Sequence, residues 1–104
     1  MTLFTKIINR EIPAEIIYEQ KNIIVIKDIN PKAKIHFLII PKKEIPTIND
    51  LEDDDRELLA DMFFVAKNIA KEFGIEQGYN LTFNVGKDGG QEVMHIHLHL
   101  LSNI

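Results

Sequence analysis

The sequence predicts an α+β domain, a mostly antiparallel sheet of about five strands covered by one long helix. Two patterns carry that expectation. Short β-branched runs fill residues 16–41 and return after residue 78, whereas the stretch between Leu51 and Gly74 switches to a helical period. The chain has 104 residues, enough for one hydrophobic core and too few for two. It shows neither a repeat nor a Ser/Gly- or Pro-rich linker, so residues 1–104 read as a single domain.

The elements follow in order. Ile16-Ile17-Tyr18-Glu19 and the run from Ile23 to Ile29 are β-branched and separated by the polar Gln20-Lys21-Asn22, the pattern of two hairpin-connected strands. Asn30-Pro31 ends the second. His36 to Ile40 is a third strand, closed by Pro41, which cannot donate to a sheet ladder. From Leu51 the period changes: Leu58, Met62, Ala66, Ile69 and Phe73 form a helical stripe, widened by Leu59, Phe63 and Ala70. Asp50 is the candidate N-cap, Glu52 to Asp55 sit at the positive end of the helix dipole, and Gly74 marks the stop. That acidic run also has the composition of a cation site, but carboxylates at a helix start read first as solvated dipole partners. Tyr79 to Val85 alternates apolar and polar residues and makes the fourth strand. The loop Gly86 to Gln91 carries three of the five glycines, and a last strand runs from about Met94 to Leu101.

Composition narrows the function classes. Hydrophobic residues make up 45% and charged residues 27%, the balance of a folded soluble domain. With 12 Lys plus Arg against 16 Asp plus Glu, the net charge of −4 opposes a surface built to hold duplex phosphates, so no nucleic-acid partner is expected. The absence of cysteine removes disulfides, thiolate nucleophiles and Cys-ligated zinc. No apolar stretch approaches the roughly 20 residues of a bilayer span, and Met1 to Glu11 lacks the apolar core of a secretory signal. No membrane partner and a cytoplasmic location are therefore expected.

The most informative segment is His95-Ile96-His97-Leu98-His99-Leu100-Leu101. Alternation along a strand puts three imidazoles on one face and Ile96, Leu98 and Leu100 toward the core. The remaining histidine, His36, opens another strand, so all four meet if that strand and the last lie side by side. Three readings compete. One is a polar strand face in solvent. A second is a metal site; at about 3.3 Å per residue, His95 and His99 start about 13 Å apart, so at most two of the three would ligate one tetrahedral ion. The third is nucleophilic catalysis at phosphorus, with one imidazole attacking while its neighbours and the amides of the Gly86 to Gln91 loop hold phosphate oxygens.

The segment His95 to Leu101 satisfies every position of the pattern His-φ-His-φ-His-φ-φ, with φ apolar, and so resembles the histidine triad (HIT) family. The likeness extends over Phe4 to Ile17 with Ile12-Pro13-Ala14, Asp28-Ile29-Asn30-Pro31, His36 to Lys42, and Asn84 through Gly89-Gly90-Gln91, all similar to the histidine triad nucleotide-binding branch. This resemblance implies a HIT-like fold with a short N-terminal helix besides the long one. It further implies a hydrolase of the purine nucleoside phosphoramidase kind, cleaving substituted α-phosphates of AMP-like nucleotides through a nucleotidyl-histidine intermediate. Dinucleoside polyphosphate hydrolysis and nucleotide binding with incidental activity are the rivals.

On the same resemblance, His97 is the nucleophile, His95 and His36 order the site, and His99 donates to a phosphate oxygen. Asn84 and the backbone around Gly90, Gln91 and Val93 help hold the phosphate and leaving group. Asp28 takes the ribose hydroxyls, for which two carboxylate oxygens are suited, while Phe4, Ile7 and Ile29 line the base slot. Residue by residue, other readings stand beside these: Phe4, Ile7 and Ile29 as core, Asp28 as a turn former before Asn30-Pro31, and Asn84 as a loop cap. Glu92 occupies a position where many relatives carry Ser or Thr; facing the scissile bond, it would be a proton shuttle with a raised pKa. The zinc of some relatives is not expected here, because cysteine is absent and Glu44 replaces a frequent histidine ligand. No cofactor is expected. Branch members also imply a homodimer built through the long helix and the Tyr79 to Val85 edge.

Overall fold

The computed structural model describes residues 1–104. Its helices are α1 (Leu3–Ile8) and α2 (Arg56–Glu72), and its strands β1 (Ile16–Glu19), β2 (Ile23–Lys27), β3 (Ile35–Pro41), β4 (Asn80–Thr82) and β5 (Leu98–Ser102). The strands form one antiparallel sheet in the order β1-β2-β3-β5-β4. The expected α+β architecture is what is observed. No helix is long and apolar enough to cross a membrane.

Because side chains alternate along a strand, each central strand feeds two cores. Ile23, Val25, Phe37, Ile39, Leu98 and Leu100 pack with Met62, Val65, Ala66, Ile69 and Ala70 of α2, while Ile24, Ile26, Leu38 and Ile40 pack on the opposite face with Phe4 and Ile7 of α1. Near-continuous apolar runs in β2 and β3 follow from burial on both faces. In the β3–β5 ladder Leu38 faces His99 and His36 faces Leu101, so the strands carrying His36 and His99 are neighbours.

Three boundaries depart from expectation. The long helix begins at Arg56, not just after Asp50. Thr47 and Asp50 instead close a separate 3-10 turn by reciprocal capping, after which Leu51 is extended, with φ −65° and ψ 139°. Glu52 to Asp55 therefore precede the helix: Asp55 is buried, accepts from the Glu52 amide at 2.9 Å and pairs with Lys43 Nζ at 2.6 Å. The expected stop holds, with Gly74 at φ +69°, a conformation glycine adopts without Cβ strain. Within the stripe, Met62, Ala66, Ile69 and Ala70 are buried, but Phe63 and Phe73 remain exposed. Val65 takes the inner position instead, because it lies three and four residues from Met62 and Ile69 on one face whereas Phe63 is turned toward Phe83.

The fourth strand pairs over Asn80–Thr82 alone, not over all of residues 79–85. Its partner β5 starts at Leu98, not Met94, and leaves nothing for Asn84 and beyond to pair with. Residues 95 and 96 spend their amides elsewhere: His95 N donates to Val93 O at 2.9 Å and Ile96 N to Ile45 O at 2.8 Å. The alternation of faces nevertheless persists through the irregular segment, with Ile96, Leu98 and Leu100 in the α2 core.

Candidate active site

The four histidines converge on the α1 side of the sheet, and each ring is oriented by a partner whose chemistry fixes where its proton sits. A carbonyl only accepts, so His95, fully buried, donates from Nε2 to Pro41 O at 2.7 Å. Its Nδ1 then carries the lone pair, 2.9 Å from Thr2 Oγ1. His97 donates from Nδ1 to the His95 carbonyl at 2.8 Å, leaving its Nε2 as the lone-pair nitrogen. The amide of Lys32 donates to His36 Nδ1 at 3.2 Å. His36 Nε2 therefore holds the proton, 3.0 Å from His99 Nδ1 and 3.4 Å from Asp28 Oδ2. By the same logic His99 presents Nε2–H outward. No side-chain nitrogen or oxygen is buried without a partner, so Nε2 of His97 and of His99, which have none, are open to solvent.

The rings are in mutual contact. His97 lies 4.8 Å from His99 and His99 5.2 Å from His36, centroid to centroid. Phe4 stands edge-on to His97 at 4.9 Å and to His95 at 5.8 Å, walling His97 on the α1 side. Burial is the leading cause holding all four imidazoles below their ordinary pKa. His99 falls from 6.5 to about 4, with the neighbouring His97 and His36 adding to the effect of burial. At neutral pH the cluster is uncharged. For His97 the bond to the His95 carbonyl, and less strongly the charges of Asp28 and Glu92, act against burial.

This arrangement has a consequence for stability. Below 6.5 the unfolded chain binds protons that the folded histidines refuse, so stability falls as pH drops from about 6.5 toward about 4, where His99 titrates. Thermal melts across that window are expected to show a declining Tm, and replacing His99 with phenylalanine is expected to flatten the slope.

The glycine loop is a tight turn closed by its own neighbours. Gly86 and Gly90 adopt φ +72° and +88°, flanking a single 3-10 turn at Lys87–Gly89. Asn84 and Gln91 spend their side-chain amides on this loop: Asn84 Nδ2 donates to Gly89 O at 2.9 Å, and Gln91 bonds the Gly86 amide and the carbonyls of Pro46 and Val93. The capping alternative for Asn84 is thus occupied in the structure, and Gln91 shapes the turn from a buried position. Val93 packs against the α1 core, whereas Glu92 is exposed. Of the expected base-slot residues, Phe4 and Ile7 are buried in that core while Ile29 is 84% exposed. Asp28 accepts from the Asn30 amide at 2.8 Å, so it forms the turn as well as facing His36.

Ligand atoms of Asp28, His36 and His99 lie within 4.8 Å of one another, a spacing a metal ion could bridge. The hydrogen bonds oppose it, since ligation through His36 Nε2 would require moving its proton to Nδ1, against the Lys32 amide. Sequence reasoning missed that amide, and it missed Thr2 and Glu44 as partners of the cluster. A Thr immediately before the apolar α1 is a capping signal that could have drawn attention to Thr2.

Comparison with known proteins adds four findings. A family model described as "Scavenger mRNA decapping enzyme C-term binding" matches residues 1–104. Purine nucleoside phosphoramidase of Escherichia coli (strain K12) is 48% identical over 101 residues, covering 96% of this chain and 85% of the relative. Among solved structures, a HIT family hydrolase from Legionella pneumophila Philadelphia 1 superposes with a TM-score of 0.97 at 54% identity, covering 100% of this chain and 94% of the other. The histidine triad nucleotide-binding protein from Candida albicans reaches 0.87 at 34% identity, covering 96% and 73%.

Proposed function

The chain belongs to the histidine triad family, and from that premise we propose that it is a hydrolase of the purine nucleoside phosphoramidase kind. The observation that carries this reading is the state of His97: its Nδ1–H is anchored on a backbone carbonyl and its Nε2 lone pair is open to solvent beside the Nε2–H of His99. An imidazole so held attacks without first losing a proton, and the carbonyl offsets the positive charge that develops on the ring.

Nε2 of His97 forms a bond to the α-phosphorus as the P–N bond to the leaving amine breaks. The amine departs with a proton, for which exposed Glu92 is the proposed shuttle. Water then attacks the same phosphorus, releasing the nucleoside monophosphate and restoring His97. His99 donates to a non-bridging oxygen, amides of the Gly86 to Val93 segment take the others, and Asp28 accepts from the ribose hydroxyls. Phe4, Ile7 and exposed Ile29 border the base. Pairing of two copies along β4 and α2 is proposed on the strength of a sheet edge that ends in three ladder residues next to exposed Phe63.

Turnover of an adenosine phosphoramidate is expected to exceed that of diadenosine tri- and tetraphosphate, with AMP as product. The reverse order would assign the site to polyphosphates, and nucleotide binding without turnover of either would reduce it to a binding module.

A further inference from the structure

Glu44, in the segment after β3, accepts from the Thr2 amide at 3.2 Å and from Thr5 Oγ1 at 2.7 Å. Thr2 Oγ1 in turn accepts from the Thr5 amide at 3.1 Å, capping α1. Thr5 donates its hydroxyl proton to Glu44, and the Thr2 hydroxyl faces two acceptors, Thr5 Oγ1 at 3.2 Å and the nearer lone pair of buried His95 Nδ1 at 2.9 Å, which has no other donor and takes the proton. His95 is thereby gripped at both ring nitrogens, by Pro41 O on one side and by Thr2 on the other. Its main-chain carbonyl is the atom that holds His97 Nδ1–H.

We propose that Thr2, held by Glu44, is a positioning residue for the nucleophile: its hydroxyl donates to His95 Nδ1, fixing that ring in the neutral Nε2–H form and so fixing the carbonyl that orients His97. The inference deepens the nucleophilic role of His97 and rests on that reading. It is separate from the helix cap, which needs only an oxygen to accept, whereas His95 needs a hydrogen to be donated.

Neutral His95 matters because His97 becomes positively charged once phosphorus is attached, and a second charge on the adjacent residue would oppose that step. The titratable groups facing His95 act in opposite senses: Glu44 favours its charging, and His97 is disfavoured by it. Donation by Thr2 occupies the lone pair that a proton would take, and burial works in the same direction. Phe4, two residues along α1, packs on both His95 and His97, so the brace that sets Thr2 also sets the wall of the nucleophile.

Nitrogen-15 imidazole spectra of the wild-type protein at neutral pH test the tautomer directly. His95 is expected to show a protonated Nε2 and an acceptor-type Nδ1; a proton on Nδ1 overturns the proposal. Kinetics test its consequence. Thr2→Ser, which keeps donor and cap, is expected within twofold of wild type in kcat. Thr2→Asp, which keeps a capping oxygen but donates nothing, and Thr2→Val are expected to lose about tenfold in kcat, the scale of one lost hydrogen bond. Both should move the acid limb of the kcat profile to higher pH as His95 becomes chargeable. A Thr2→Asp variant with wild-type kcat and pH profile would leave only a helix cap and sink the inference. Should Thr2→Val fail to fold by circular dichroism, the Ser and Asp pair still decides. Absence of phosphoramidate turnover in wild type would count against the proposed function alone, because the His95 tautomer is read without substrate.

Discussion

Replacing His97 with alanine is expected to lower kcat/KM on an adenosine phosphoramidate by about four orders of magnitude or more, because the variant lacks the atom proposed to bond to phosphorus. No other imidazole can substitute. The free nitrogen of His99 carries a proton, and both nitrogens of His95 and of His36 are engaged. Rapid acid or base quench of wild type with labelled substrate is expected to trap a nucleotidyl group, located by mass spectrometry on the peptide containing His97, and His97→Ala is expected to show none. The variant should still bind AMP, since Asp28, His99 and the glycine loop remain. A residual adduct at full stoichiometry, or turnover within tenfold of wild type, would remove His97 from the nucleophilic role. Loss of nucleotide binding in a folded variant would instead make the ring a ligand-holding group.

That experiment turns on an alternation of faces that was legible before any coordinates. Odd-numbered histidines and even-numbered apolar residues between 95 and 100 separate onto opposite sides even though residues 95–97 lie outside the ladder. The pattern survives because Ile96 must reach the α2 core whether or not its amide is paired in a sheet. Adjacency of His36 and His99 was only a condition at the level of sequence, and the β3–β5 ladder supplies it. Other features depend on partners far away in sequence. Strand β4 shortens because β5 begins late, and β5 begins late because Ile45 and Pro41 take the Ile96 amide and the His95 ring. The start of α2 shifts because Lys43 neutralises Asp55 and Thr47 closes its own turn with Asp50. Local carboxylate spacing looks the same in either case. The tautomers were illegible for the same reason: each is set by a main-chain group or hydroxyl, the Lys32 amide, the Pro41 carbonyl, the His95 carbonyl or Thr2, brought in by tertiary structure.

The Lys32 amide makes His36 and His99 act as one unit, and that yields a non-additive expectation. His99→Ala removes the proposed donor to a phosphate oxygen and is expected to cost about 10²- to 10³-fold in kcat. His36→Ala leaves His99 in place but deletes the proton that points at its Nδ1. His99 can then rotate or shift its own proton to Nδ1, toward the Asp28 carboxylate, and turn a lone pair to the phosphate. The expected loss is about 10- to 10²-fold, although His36 itself is buried behind His99 at 3% exposure. The double variant should be no slower than His99→Ala alone, since His36 has nothing left to orient, whereas independent contributions would multiply. His36→Gln provides the conservative control: its amide can donate to His99 Nδ1 and should recover most of the loss. Multiplicative losses in the double variant, or no recovery with glutamine in a protein of unchanged Tm, would show that the two rings serve separately and that the Lys32–His36–His99 chain has no directional role.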